Sequence, residues 1–294
     1  MNPLEQLFDA PGPKGRRNLR IINIAGATFI ALIAALIIIL LAKKGQLAAS
    51  AWSPFLTSVV WTEYLLPGLF ATLKAALVSI IASNILGLIL GVGRLSTIRP
   101  IRWICGLLVE FFRAVPVLVM MIFFYFFLSH IAARSDVLDP SMTPFLGVVL
   151  GLTLYNGSVI AELVRSGVAI LPKGQREAAL ALGLPPNKSL RYVELPQALM
   201  AMMPAMVSQL VVILKDTALG YIIVYPELLR QARLVGTSSQ NLLQALVIVG
   251  LMFIIVNTAL GEAAHALSRK MSKRTGAVLE TDELADPGLT VDAD

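Results

Sequence analysis

The chain has 294 residues, 57% of them hydrophobic and 14% charged, with a formal net charge of +6. Crossing roughly 30 Å of hydrocarbon takes about 20 apolar residues, and several runs here reach that length, which excludes a soluble globular domain. The runs lack the alternation of outer-membrane strands, so their backbone polar groups must be satisfied within helices, and the fold class is an all-α integral membrane protein.

In chain order, residues 1–20 form a basic arm, followed by the first span, IINIAGATFIALIAALIIILLA, at 21–42. That run is too long for the apolar region of a secretory signal and lacks a clear small-residue cleavage site, so it is expected to remain as a helix. Five further spans are expected at about Leu66–Val92, Trp103–Leu128, Thr143–Val164, Met203–Val224 and Leu242–Leu267. Six spans place both termini on one side. Residues 275–294 carry Glu280, Asp282, Glu283, Asp286, Asp292 and Asp294 and little apolar content, which reads as a disordered acidic tail. The lone Cys105 cannot form an internal disulfide, and His130 and His265 lie in different segments, so no metal site is expected.

Positive charge sets the sidedness. Lys14, Arg16, Arg17, Arg20, Arg94, Arg99, Arg102, Arg165, Lys173, Arg176, Lys188, Arg191, Arg269, Lys270, Lys273 and Arg274 fall on one face. The opposite face has Lys43, Lys44, Arg134, Arg230 and Arg233. The richer face is expected to be cytoplasmic, with the protein a multi-pass component of the plasma membrane. The basic charge is thus a topology signal, and a nucleic-acid partner is not expected.

The loop between the fourth and fifth spans is cytoplasmic by this count and too long to be a simple connection. Gln175 to Leu184 is made of helix formers and is stopped by Pro185 and Pro186; a second short helix from Asn187 to Val193 is expected to end before Pro196. Ala178, Ala179, Ala181 and Gly183 strip bulk from the first helix, which would let another protein surface approach. An interfacial helix lying on lipid would instead be rich in basic and large apolar residues.

KGQREAALALGLPPNKSLRYVELPQAL, residues 173–199, resembles the EAA loop of ATP-binding-cassette importer permeases through Glu177, Ala178, Ala179, Gly183, Val193, Leu195 and Pro196. LPGLFATLKAALVSII (66–81), EFFRAVPVLVMMIFFYFF (110–127), NGSVIAELVRSGVAILPKGQREAA (156–179) and LKDTALGYII (214–223) are similar to permeases for polar amino acids. The resemblance covers residues 66–268 and implies a type I permease core of five transmembrane helices. It also implies a coupling role for Glu177, Ala178, Ala179, Gly183, Leu184, Leu195 and Pro196 against a cytoplasmic ATPase dimer. Ala114-Val115 stands where the family has Gly-Thr, removing a hydroxyl beside Arg113. The extra first span and the acidic tail resemble longer actinobacterial glutamate-system permeases, which makes glutamate the first substrate expectation.

Charges inside the spans mark a candidate path. Lys215 and Asp216 are expected near the bilayer centre, where each costs on the order of 2.5–3.5 kcal/mol against lipid, so each must face protein or water. Gln209 lies seven residues before Asp216, and Ser208 seven before Lys215. They either line a cavity or pair with neighbouring helices to lock the bundle. Arg113, followed by Pro116, is either a fork for a substrate carboxylate or a snorkelling or intersubunit arginine. Lys74 and Glu110 are expected to snorkel, and Glu162 with Arg165 to form a local pair or part of a gate.

No phosphate-binding loop is present, so the chain is expected to be no enzyme and to hold no cofactor; ATP and magnesium would belong to the ATPase. The remaining expected partners are a second permease subunit, identical or different, an extracytoplasmic amino acid binding protein, and the lipid bilayer. An ion channel or other transport protein is the alternative, although no carbonyl filter or acidic ring is visible.

Overall fold

The computed structural model describes residues 12–274. The start of the basic arm and the acidic stretch 275–294 lie outside the described residues. Helix α1 (Pro13–Lys43) leads through α2 (Ala49–Trp52) and a wide turn at Val60–Leu65 into α3 (Leu66–Arg94). Helices α4 (Arg99–Ala114), α5 (Val117–Ala132) and α6 (Thr143–Ala169) follow. Short helices α7 (Lys173–Ala181) and α8 (Pro186–Ser189) precede α9 (Leu195–Asp216), a 3-10 extension at Thr217–Ile223, α10 (Leu228–Ser238) and α11 (Leu242–Arg274). The described residues contain no strand.

Helices in α1, α3, α6, α9 and α11 are long and apolar enough to cross a membrane, and α4 with α5 makes a sixth span if the pair is taken together. That third span is not the continuous helix expected from Trp103 to Leu128, because the two halves meet at 99°. Pro116 has no N–H to donate, and Val115 before it is extended with ψ 126°, so the helix stops at Ala114 and restarts at Val117.

The fifth span also differs from expectation. It begins at Leu195 rather than Met203 and runs through Pro204, whose carbonyl accepts from the Ser208 hydroxyl at 3.0 Å. The second short helix does not end before Pro196 either. A π-turn over Leu190–Glu194 joins α8 to α9, and Pro196 falls in the first turn of α9, directly after that turn.

Small residues hold the bundle together, as expected where lipid removes the hydrophobic drive between helices. A Cβ on Gly87 would meet Ile160 and the Gly157 carbonyl, and one on Gly91 would meet Val164, so α3 and α6 run parallel in close contact. Helix α5 runs antiparallel to α6, with Met121 against Gly151 and Tyr125 against Gly147. Ala75, Met121, Val148, Leu152, Ile213, Ile223 and Tyr225 form the central core.

Two opposite ends result. At one, α10 is pinned to the start of α3 by the Leu228 N–H donating to the Thr72 hydroxyl at 3.0 Å. At the other, α6 leads into α7. By contrast, every described side chain of α1 is at least partly exposed, and just beyond it the Gln244 side-chain amide donates to the Gln46 carbonyl at 2.7 Å.

Candidate functional site

The α7 end carries the 173–199 stretch. Helix α7 closes on Gly183, which has φ +83°, a left-handed conformation that side chains adopt at a cost. The Gly183 N–H donates to the Leu180 carbonyl at 2.9 Å and the Leu184 N–H to the Ala179 carbonyl at 3.1 Å, a paired helix-terminating turn. Nothing lies within 4 Å of a Cβ built on Gly183, so backbone conformation, not lack of space, accounts for the glycine within this chain. Ala179 is buried under its own protein, whereas Glu177, Ala178 and Leu182 are exposed and Leu184 is half-buried. The exposed surface of α7 is therefore narrower than the alanine run implies. Gln197 donates to Gln175 at 3.2 Å, tying α9 to α7 beside the half-buried Leu195 and the exposed Pro196.

Above this surface, five charged side chains from three helices converge. Arg94, the last residue of α3, donates to Glu162 of α6 at 2.7 Å and to Glu110 of α4 at 3.1 Å. Arg165 pairs with Glu162 one turn earlier on the same helix. Arg113 is held more loosely, 3.7 Å from Glu162 and 3.9 Å from Glu110, and lines a cavity of about 480 Å³ with Tyr155 and Ala114. Three guanidiniums thus share two carboxylates. Arg94 and Glu110 are both ion-paired within this cluster. Arg113 lies at the level of Glu162, seven residues from the end of α6, and is shallower than its position ten residues into a straight span would place it.

The second group of intramembrane polar residues is elsewhere. The Gln209 amide donates to the carbonyl oxygen of the fully buried Asn156, near the midpoint of α6. Lys215 lies six residues further toward the α10 end, about 9 Å along the helix. Lys215 lines a groove of about 470 Å³ between α9 and α11, with Asn257 and Thr258 as its polar neighbours and Val211, Phe253 and Ile254 as apolar wall. Asn257 donates to the Phe253 carbonyl at 2.7 Å, while its own side-chain carbonyl is buried without a partner. Neither the Lys215 nor the Asp216 side chain forms a hydrogen bond or an ion pair within 4 Å among the described residues, and Asp216 closes α9 rather than sitting mid-helix. Pro116, in contrast, serves the α4–α5 bend. Arg113 and Lys215 do not share a cavity.

Arg94, Asn156 and Asn257 are absent from any sequence-based reading of the path because the partners of the first two lie 68 and 53 residues away and the third is brought beside Lys215 by the packing of α11 on α9. Lys74, expected to snorkel, stands 4.9 Å over the Phe145 ring. At the α10 end, Glu227 is fully buried and accepts from the Leu229 and Arg230 N–H groups at 2.8 and 2.6 Å. Burial pushes its carboxyl up to about 7 against the opposing effect of those two bonds.

Residues 83–273 match the family described as binding-protein-dependent transport system inner membrane component. The chain is 45% identical over 253 residues to a glutamate transport system permease protein of Corynebacterium glutamicum, covering 85% of this chain and 91% of that one. It is 32% identical over 217 residues to an arginine transport system permease protein of Bacillus subtilis, covering 74% and 96%. Its fold is similar to the crystal structure of an amino acid ABC transporter with histidines, with TM-score 0.64, 26% identity and coverage of 74% and 98%. It also resembles an inward-facing methionine ABC transporter, with TM-score 0.60, 21% identity and coverage of 73% and 99%, a likeness of fold.

Proposed function

Because the chain belongs to the family of inner membrane components of binding-protein-dependent transport systems, we propose that it is the permease subunit of an ATP-driven glutamate importer. The observation that carries the substrate is the 45% identity to a glutamate-system permease across most of both chains. In this reading two permease subunits form the path, and an extracytoplasmic binding protein delivers the amino acid at the α10 end. A separate ATPase dimer, which holds ATP and magnesium, docks at the α7 end in the cytoplasm. The permease itself performs no covalent chemistry.

The exposed Glu177 and Ala178 of α7, with Leu182 just after it, are the docking face. Gln175, Gln197 and Pro196 tie that face to the foot of α9, so a push on α7 is transmitted to the helix that carries Gln209, Lys215 and Asp216. In the groove beside α11, the Lys215 ammonium attracts a carboxylate, with Asn257 and Thr258 as the polar residues of the wall. Arg113, Pro116 and Glu162 act at the α7 side as a gate.

Purification of the tagged permease should bring down an ATPase in stoichiometric amount. In vesicles of the complete transporter, unlabelled glutamate should compete with labelled glutamate better than glutamine, aspartate or arginine does. Stronger competition by arginine or glutamine would reassign the substrate, and the absence of any ATPase partner would remove the importer reading.

A further inference from the structure

Helix α4 does not run with the bundle. Since α5 is antiparallel to α6 and meets α4 at 99°, α4 lies across the feet of α3 and α6. Its inner edge is Cys105 and the fully buried Val109, packed on Leu90 and Ala161. With about 100° between successive residues, the rest of the circumference divides in two. Trp103, Ile104, Leu107, Leu108 and Phe111 form an exposed apolar face, and Arg99 and Arg102 lie on a polar stripe beside it. Such a division, with a tryptophan at the border, suits a helix lying in the membrane interface.

The approach to α4 is pinned to α8, because the Thr97 hydroxyl donates to the Asn187 side chain at 3.1 Å. Arg99 is two residues past Thr97 and Lys188 is next to Asn187, so that hydrogen bond brings the two cation-bearing segments together. Arg102 reaches back to the Ser96 carbonyl at 3.3 Å. None of the three has a carboxylate within 4 Å among the described residues. A cationic patch without acidic partners, continuous with an apolar face in the interface plane, complements one kind of molecule: a lipid with a negative headgroup.

We infer that Arg99, Arg102 and Lys188 hold the headgroup of an anionic phospholipid whose acyl chains lie along Trp103, Ile104 and Leu107. The site rests on membrane embedding alone, so it stands or falls independently of the transported solute. It couples lipid composition to the loop that carries α7 and α8.

The test is native mass spectrometry of the purified full chain released from nanodiscs of mixed phosphatidylglycerol and phosphatidylcholine. Each cation near a charged headgroup is worth about fivefold, so wild type should retain phosphatidylglycerol at least tenfold in preference, and Arg99→Gln/Lys188→Gln/Arg102→Gln should lose most of that preference. Equal retention of the two lipids by wild type, or an unchanged preference in the triple variant, overturns the inference. So does a variant that keeps its preference but no longer binds the ATPase, which would make the patch a protein-docking surface. In a Trp52→Phe/Trp61→Phe background, Trp103 fluorescence should be quenched by a nitroxide high on the acyl chain; stronger quenching from the chain end would place α4 across the bilayer and also overturn it.

Discussion

Arg94 donates to Glu162 at 2.7 Å, joining the last residue of α3 to α6 across 68 positions of sequence. The contact is shielded, with the side chains 15% and 21% exposed, whereas Glu110 in the same cluster is 62% exposed. This difference in exposure ranks the two carboxylates. Glu162→Gln should lower stability by about 2 kcal/mol, the loss expected for shielded hydrogen bonds to a charged partner. Glu110→Gln should cost less than about 1 kcal/mol because solvent screens it. Denaturation in detergent checks the order, and equal effects would show that the cluster is not organised around Glu162.

Substitutions in α7 should separate conformation from docking. Gly183→Asn tolerates φ +83° better than Gly183→Ala, and left-handed backbone costs an ordinary residue about 1–2 kcal/mol. Asparagine should therefore retain more ATPase stimulation than alanine. Ala178→Arg and Glu177→Lys leave the backbone intact on an exposed face, and should weaken ATPase binding at least tenfold with unchanged stability. Normal binding in both would remove the docking assignment.

Lys215→Met should reduce glutamate transport per assembled complex by roughly ten- to a hundredfold, the loss of one charge-assisted hydrogen bond of about 1.5–3 kcal/mol. Arg113→Gln breaks only two long ion pairs at a partly exposed guanidinium, so assembly should hold and the altered gate should lower transport per complex by less than about tenfold. Transport in vesicles, normalised to intact complex, distinguishes them. Unchanged transport per complex for Lys215→Met would move the solute path away from the α9–α11 groove.

Sidedness is testable at two very exposed positions, Val137 and Leu182, which are 89% and 84% exposed. In a Cys105→Ser background, Val137→Cys should react with an impermeant thiol reagent applied to intact cells and Leu182→Cys should not. The reverse pattern would put α7 outside.

Glu227 predicts a pH dependence at the α10 end. Its folded value, near 7, lies above the ordinary 4.5, so the buried group holds its proton where the unfolded chain has lost it. The contribution of Glu227 to stability is therefore greatest below pH about 4.5 and is lost as pH rises to about 7, by on the order of 3 kcal/mol. Arg230 and the two backbone donors oppose the shift, and the neighbouring Tyr225 is itself raised to about 12. Amide exchange in α10, corrected for intrinsic rate, should speed up from pH 5 to 8, and Glu227→Gln should flatten the trend. A flat wild type would refute the burial argument.

Helical spans are legible in this sequence because a bilayer imposes a length that no local packing can disguise. Pro116 is equally legible as a break, but the size of the bend depends on how α4 meets α3 and α6. The start of α9 is obscured by Pro196 and Pro204, which punctuate a soluble helix yet are absorbed here by a π-turn and by the Ser208 hydroxyl. Arg94 reads as a loop cation because nothing near it in sequence reveals Glu162. Gly183 stands out within the family-like stretch, whereas its left-handed backbone emerges only from the turn it closes.

Helix α1 gives the molecule a particular order of manufacture. With no described side chain fully buried against the rest of the chain, it needs none of the later helices in order to leave the translocon and settle in lipid. It can therefore be released first, as an anchor whose orientation is imposed on the nascent segments behind it. The Gln46–Gln244 bond then forms only once α11 has been synthesised, a late clasp between α11 and the turn that follows α1.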